Sequence, residues 1–486
     1  MPGPPDNNNK AQTKMQFPSL ITTGLTLLSL SVGSALATER PNIIVIKADD
    51  LGYGDVSYNP DGEGDFETPN IDRIAALGVS FTQGYAQHAV CGPSRAGFVT
   101  GRYQHRFGYF DNIGPIARDP EEGMGIPLNQ QTIGNYLSEA GYVTGHIGKW
   151  HDGDEQEYWP YNRGFQEFFG FNNGAASYFV GPVNQTWDAP WSAIYREDGE
   201  RVANFPEYLT QAFGNEAVDF IDRHKDSDQP LFLYLAHLAP HGPMEATEAD
   251  LAKFEHIEDE ARRTSVAMVH SMDNTIGDLL DKLEEEEMLE NTLIFFTSDN
   301  GGEGYPHSSN KPHKGIKGTT YEGGLRVPYL MMWKGVVMEG VTLDSPATGI
   351  DISATLLNAA IGEPDPKWQL DGVNLLPYAS GQTEQLEERF LYWQTAANSA
   401  IRNGEWKWVD TRNTLYRGHQ KGGRVQALYR ISEDPAETTD LSRQYPEVAE
   451  NMRKEFERWQ SLNEPARFGW NPAFGTRVGY RGKHKD

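Results

Sequence analysis

Four short apolar runs punctuate the chain, and each stops on unusual polar residues. "NIIVIKADD" ends in Asp49 and Asp50, "GYVTGHIGKWH" in Lys149 and His151, "PLFLYLAHLAPH" in His237 and His241, and "NTLIFFTSDN" in Asp299 and Asn300. Their β-branched and aromatic content, bounded by Gly or Pro, predicts strands rather than buried helical segments. Between them the period changes. "TPNIDRIAALG" offers Thr68 as N-cap, Pro69 at the first helical position and Gly78 as a stop, and "LNQQTIGNYLSEAG" ends at Gly141. Residues 261–288 repeat Val266, Val269, Met272, Ile276, Leu279, Leu280 and Leu283 at helical spacing. The alternation predicts an α/β fold with a large, mostly parallel sheet and helices on both faces. In such sheets ligands bind beyond the carboxyl ends of the strands. Four polar sets at four strand ends therefore predict one site.

The pattern shifts at about residue 386. "RFLYWQ", "AIRNGEWKWV" and "QALYRISEDP" read as short antiparallel strands, and "YPEVAENMRKEFERWQSL" as an amphipathic helix with Val448, Met452, Phe456 and Trp459 on one side. The expected organisation is a catalytic domain over 38–385 and a smaller C-terminal α+β domain over 386–486, carrying an antiparallel sheet. Residues 1–37 read as a signal peptide. Lys10 and Lys14 precede the apolar "LITTGLTLLSLSVG", and Ala35-Leu36-Ala37 has the small-x-small form that signal peptidase accepts, with cleavage after Ala37. That stretch is short and broken by Thr, Ser and Gly, so a stable membrane span is not expected. The implied location is periplasmic or secreted.

Charge narrows the partners. The chain of 486 residues carries a formal net charge of −27, and removing residues 1–37 deletes Lys10, Lys14 and Asp6, giving −28. Nucleic acid is excluded as a partner, because phosphate binding relies on clustered Lys and Arg. An anionic substrate needs a site that reverses the sign locally. Candidates for that reversal are His307, Lys311, His313, Lys314, Lys317 and Arg326 in one stretch, and Arg102, His105 and Arg106 in another. Tyr158, Trp159, Tyr161, Trp187 and Trp191 form an aromatic segment suited to stacking on a sugar or aryl ring.

Asp49, Asp50, Asp299 and Asn300 are oxygen donors, a set that suits a hard cation, Ca²⁺ or Mg²⁺, rather than zinc. Helix capping or an Asx turn is the plain alternative for each pair. The one cysteine, Cys91, opens "CGPSRAGFVTGR" and cannot form an intrachain disulfide.

Taken with "GKWH", "SDNG" and "KGTTYEGGLRVP", this stretch resembles the formylglycine-dependent sulfatases, the arylsulfatase-like branch of the alkaline-phosphatase-like superfamily. The resemblance runs from "RPNIIVIKADDLGYGD" through "ALYRISEDPAETTDLS". It implies that a formylglycine-generating maturation enzyme oxidises Cys91 to an aldehyde, whose hydrate attacks the sulfur of a sulfate ester and then expels sulfate. On this resemblance Asp49, Asp50, Asp299 and Asn300 hold the cation, with the converted Cys91 side chain completing the shell. Asp299 accepts the attacking hydroxyl's proton, and Arg95 holds the diol and the cation ligands in place. Lys149 and Lys317 clamp sulfate oxygens, and His151 is the base of the second step. His241 binds sulfate and protonates the departing alcohol, shared with Lys317. His307 is a further substrate-binding candidate, and His237 reads as structural. One departure stands out: Asp152-Gly153 follows "GKWH" where many relatives have Leu-Gly. The implied activity is a sulfuric ester hydrolase acting on a sulfated carbohydrate or small aryl sulfate. The alternatives are a phosphate-ester hydrolase of the same fold, against which Cys91 counts, and a non-catalytic sulfated-glycan binder.

Overall fold

Strands that are apolar along both faces must be covered on both faces, and strand β1 (Asn42–Asp49) is buried at every residue but its first. The computed structural model describes residues 3, 40–113, 124–153, 155–179, 194–196, 199–202, 207–395, 397–412, 424–467, 469–471 and 476–478. The apolar stretch and cleavage site of the expected signal peptide, together with Trp187 and Trp191, lie outside the described residues. Strands β2 (Val79–Phe81), β3 (Gly84–Tyr85), β4 (Val143–Lys149), β5 (Glu167–Phe171), β6 (Tyr195–Arg196), β7 (Leu231–Pro240), β8 (Thr292–Ser298), β9 (Tyr329–Met332) and β10 (Val341–Leu343) follow in the chain. All but β3 join β1 in one nine-stranded sheet, ordered β10-β2-β9-β8-β1-β7-β4-β5-β6. Pairing is parallel from β8 through β1, β7 and β4 to β5. It turns antiparallel at β8-β9, β9-β2 and β5-β6.

The period of two then assigns each side chain. Ile43, Val45, Phe232, Tyr234, Leu293 and Phe295 face α2 (Cys91–Thr100), α3 (Ile133–Glu139) and α8 (Gly349–Ile361), where Phe98, Leu137 and Leu356 meet them. Ile44, Ile46, Leu233, Leu235, Ile294 and Phe296 face the other way. They meet Ile74 of α1 (Pro69–Ala76), Phe213 of α4 (Leu209–His224) and Met272 of α6 (Glu260–Glu285). Helices thus cover both faces, as the strand patterning predicts. Short helices α5 (Glu248–Lys253), α7 (Glu322–Leu325) and α9 (Leu376–Ala379) sit in the connections.

β3 pairs separately with β11 (Ala347–Thr348). The C-terminal strands β12 (Leu391–Gln394), β13 (Ser399–Asn403), β14 (Trp406–Arg412) and β15 (Arg424–Arg430) form an antiparallel sheet. One face receives Met452, Phe456 and Trp459 of α10 (Pro446–Gln460) against Ile401, Trp408 and Leu428. The other face packs Trp393, Ala400 and Val409 on Tyr85, Ala89, Tyr321 and Leu325. Residues 40–486 form one compact unit.

Helix α1 has a cap that the local sequence does not contain. Thr68 stands at the N-cap and Pro69 at the first position, yet the Thr68 hydroxyl donates to Asp72 instead of capping. The free amides are satisfied from α6, where Asp273 accepts from Asn70 N at 3.1 Å and Ile71 N at 2.8 Å. Gly78 serves close approach, since a Cβ there would lie 2.2 Å from the Met331 carbonyl oxygen. Burial pushes the Asp273 carboxyl up to about 6, beyond what its three amide donors offset. Asp273→Ala should cost about 1–3 kcal/mol in urea unfolding by orphaning those amides. Because the folded chain holds that proton where the unfolded chain has lost it, stability from this group falls as pH rises from the ordinary carboxylate range to about 6. The variant's pH profile should lack that slope.

Candidate active site

Adjacent strands deliver the polar sets to one edge. Ala48 pairs with Ser298, so Asp49-Asp50 after β1 and Asp299-Asn300 after β8 emerge side by side. β7 lies on the other side of β1 and leads to His241; β4 lies beyond it and ends in Lys149. A register shift between Lys47 and Asp49 turns the end of β1. Asp50 and His151 both take φ near +60°, at 64° and 61°, a strained conformation for residues with a Cβ.

The carboxylates are buried, and each is held by a cation. Lys149 Nζ pairs with Asp49 Oδ2, and Arg95 Nη2 lies 3.6 Å from the same oxygen. Arg95 Nε donates to Asp299 Oδ2 at 2.8 Å, and its Nη1 donates to the Lys149 carbonyl at 2.9 Å. Lys317 Nζ donates to Asp50 Oδ2 at 2.7 Å. Asn300 Nδ2 donates to Asp50 Oδ1 at 2.6 Å. Burial and the neighbouring Asp299 push the Asp49 carboxyl up to about 7, against the pull of Lys149 and Arg95. Burial acts the same way on Asp50 and Asp299, but there the cations win. Lys317 above all holds Asp50 below the ordinary range, and Arg95, Lys149 and Lys317 do the same for Asp299.

Cys91 is the first residue of α2, with its Sγ 3.4 Å from Asp49 Oδ1. Burial, reinforced by Asp49, raises the thiol well above its ordinary value, and the helix terminus does not offset it. The thiol is therefore a poor nucleophile as it stands. Arg95, one turn on, is fully buried between Asp299 and the end of β4.

His241 Nε2 lies 3.6 Å from Asp50 Oδ2, while its Nδ1 sits 2.6 Å from the Gly242 carbonyl oxygen. Burial, followed by Lys317, pushes it down to about 3. His151 Nε2 lies 3.2 Å from the Ile113 carbonyl, and its buried Nδ1 has no hydrogen-bond partner. Burial and then Lys149 hold that imidazole well below its ordinary value.

Not every expected basic residue reaches this cluster. His307 is half-buried, and its carbonyl accepts from Ser265 on α6. Lys311 pairs with Glu63 at 3.0 Å, His313 Nδ1 lies 3.2 Å from the Pro435 carbonyl, and Lys314 donates to the Glu437 carbonyl at 3.1 Å. Arg326 pairs with Glu322, and Arg106 with Asp371. His105 Nε2 lies 2.8 Å from the Gln394 carbonyl. Of these basic residues only Lys317 bonds a carboxylate of the strand-end cluster. Tyr158 and Trp159 are buried, and the Tyr158 carbonyl accepts from Trp150 Nε1 at 2.9 Å. His237 is packed within the core near Phe213.

Other residues here gave no signal in the sequence. Tyr178 donates to the His241 carbonyl at 2.8 Å, and Glu245 accepts from the Tyr178 amide at 2.8 Å, fixing the His241 turn. Asn112 accepts from Gly92 N at 2.8 Å beside Cys91. Asp152, the departure noted after "GKWH", is buried, and burial holds its carboxyl well above the ordinary range.

Asp49, Asp50, Cys91 and His241 each place a ligand-type atom within 4.8 Å of the others. Asp299 stands one step away, bonded to Arg95 and to Asp50 N at 3.3 Å. Asn300 Oδ1 is buried with no hydrogen-bond partner, an acceptor left open beside the carboxylates. Hard oxygens of this kind fit a hard divalent cation.

Known proteins resemble this chain over most of its length. The sequence model of the family described as Sulfatase matches residues 41–363. The N-acetylgalactosamine-6-sulfatase of Canis lupus familiaris is 31% identical, over 86% of this chain and 85% of that one. The Homo sapiens protein of the same name is 33% identical, over 80% of this chain and 76% of its own length. Among solved structures, Ps i-CgsB in complex with k-i-k-neocarrahexaose superposes with a TM-score of 0.80 at 33% identity, covering 89% of this chain and 95% of that chain.

Gly174 lies against the His151 ring, where an added Cβ would come within 2.8 Å of Nε2 and 2.9 Å of Cε1. Gly174→Ala should therefore displace the imidazole and lower kcat about 10- to 100-fold, with the melting temperature little changed. Steady-state kinetics alongside thermal unfolding checks this; a wild-type kcat would show that His151 is not needed where it sits.

Proposed function

The chain belongs to the sulfatase family, and from that premise we propose that it removes sulfate from a sulfated carbohydrate, with position 91 as the source of the nucleophile. The observation that carries this is the meeting of Cys91 with Asp49 at 3.4 Å, inside a buried edge where Arg95, Lys149 and Lys317 gather positive charge in an acidic protein. The named relatives act on N-acetylgalactosamine 6-sulfate, and a structural relative was crystallised with an oligosaccharide. Both favour a carbohydrate over a simple aryl sulfate. A phosphate-ester hydrolase would use a serine or threonine hydroxyl where this chain has Cys91.

In the proposed reaction Cys91, oxidised after translation to the formylglycine aldehyde and hydrated by addition of water, supplies a hydroxyl pair in place of a thiol that burial keeps protonated. Asp49, Asp50, Asp299 and the open Asn300 Oδ1 would hold a divalent cation, Ca²⁺ ahead of Mg²⁺, which supplies charge neutralisation at the sulfate oxygens. Asp299 accepts the attacking hydroxyl's proton, and Asp49 Oδ1 lies 3.4 Å from the sulfur at position 91. Lys149 and Lys317 face the carboxylates and bind sulfate oxygens. His151 takes a proton at Nδ1, the atom free of the Ile113 carbonyl. With its Nδ1 hydrogen given to Gly242, neutral His241 can only accept at Nε2. Lys317 is then the better donor to the leaving alcohol. Residues 1–37 would direct the chain to the periplasm or outside, and no helix among the described residues is long and apolar enough to cross a membrane.

Mass spectrometry of the peptide spanning Cys91 should show sulfur replaced by a carbonyl oxygen in active protein, and Cys91→Ser should lower turnover by about a thousandfold or more. A free thiol in fully active enzyme would refute the nucleophile. Chelation should abolish hydrolysis of N-acetylgalactosamine 6-sulfate, with Ca²⁺ restoring it. Elemental analysis finding stoichiometric zinc instead would overturn the ligand assignment.

A further inference from the structure

The loop that carries Lys317 packs Tyr321 and Leu325 against the C-terminal sheet, and polar contacts from the C-terminal segment hold the rest of it. Lys407 on β14 is fully buried and pairs with Glu322 at 2.8 Å and with Glu437 at 3.0 Å. Glu437 in turn accepts from the Glu322 amide at 2.6 Å, while its own carbonyl accepts from Lys314. It does so with φ at +52°, a conformation disfavoured for a residue with a Cβ. Asn398 Nδ2 donates to the Gly318 carbonyl at 2.9 Å, and Thr320 Oγ1 donates to the Ser399 carbonyl at 3.1 Å. From the reactive side, Gly318 N donates to Ala89 O at 2.7 Å and Lys317 N to Gly302 O at 3.0 Å. The Lys317 turn is thus pinned between the segment before Cys91, the segment after Asn300 and the C-terminal sheet.

We propose that Lys407 and Glu437 are positioning residues for Lys317, so that the C-terminal segment sets the geometry of one of the two lysines paired with the strand-end carboxylates. The inference rests on the reading of Lys317 as sulfate clamp and proton donor. Removing Lys407 leaves the Glu437 carboxylate buried without its cation, and Glu437→Gln exchanges the charged acceptor of the Glu322 amide for a neutral one. The strain falls on the Glu322 amide and the Lys314–Leu325 loop, because Gly323 N also donates to the Lys314 carbonyl at 2.7 Å within that loop.

The test uses the full chain. Lys407→Met, Lys407→Arg and Glu437→Gln are made in wild-type and Lys317→Ala backgrounds, and kcat and KM are measured on 4-nitrophenyl sulfate and N-acetylgalactosamine 6-sulfate. Hydrogen–deuterium exchange of the peptide over residues 313–325 is followed in parallel with that over 42–49. Lys407→Met and Glu437→Gln should lower kcat/KM about 10- to 100-fold in the wild-type background and less than about twofold when Lys317 is absent. Lys407→Arg should recover most of the loss. Exchange over 313–325 should quicken about tenfold or more while 42–49 is unchanged. Equal fold losses in both backgrounds, or unaltered exchange in the loop, would overturn the proposal. Should Lys407→Met fail to fold, Glu437→Gln, nearly the same shape, carries the comparison alone. A wild type inactive on both substrates would count against the proposed function, and the loop's exchange would still decide its support.

Discussion

Three carboxylates buried at one sheet edge have to be answered by buried cations, and the arrangement around the edge follows from that requirement. Asp49, Asp50 and Asp299 lie at the ends of neighbouring strands, with almost no exposure. Without partners such groups would take up protons or admit water, since an unpaired buried charge is among the most costly features a fold can carry. The partners come from three separate elements: Arg95 from α2, Lys149 from the end of β4 and Lys317 from the loop before α7. Each element is placed by its own packing, so the charge balance ties together parts of the chain that are far apart in sequence. Asp49, which shares its cations with Asp299, is the one carboxylate of the three pushed toward neutrality.

The same balance explains how an acidic protein can serve an anion. A net charge of −27 is spread over a large surface, and at physiological salt a charge is felt over roughly 8 Å. Acidic side chains such as those at the end of α6 therefore act mostly on their own surroundings. What a sulfate group would meet is set by the lysines and the arginine at the edge, and by whatever cation the carboxylates hold.

Much of this was legible from the chain because parallel strands covered on both faces write themselves as unbroken apolar runs, and the residues after them mark the edge. Helices α1, α3, α6 and α10 carried periodic stripes or caps and were equally readable. Helix α2 was not readable from periodicity, because all ten of its residues are buried and no polar face remains; only its motif identified it. The basic stretch from His307 to Arg326 divides once folded, with Lys317 on Asp50 and Lys314 on the Glu437 carbonyl. A count of positive residues ignores their acceptors, and Pro435 and Glu437, which answer His313 and Lys314, lie more than a hundred residues away. The Asp273 cap on α1 and the Tyr178–Glu245 hold on the His241 turn are likewise contacts between distant segments, with no trace in local pattern.

The two lysines of the candidate site are consequently supported in unlike ways. Lys149 is the last residue of a central strand; it pairs with Phe171 of β5, and Gly148 just before it pairs with Ala236 of β7. Lys317 sits on a turn between Ile316 and Gly318 whose backbone is held by Gly302, Ala89 and Asn398, from three different segments. The separation between the two ammonium groups is therefore a property of the contact between the main sheet and the C-terminal sheet, sealed by Trp393, Ala400 and Val409 against Tyr85, Ala89 and Tyr321. A rigid strand supplies one side of the anion site, and an interface supplies the other. Tolerance to change should differ accordingly: substitutions near Lys149 must respect strand geometry, whereas the position of Lys317 can be altered from residues that never approach the reacting groups.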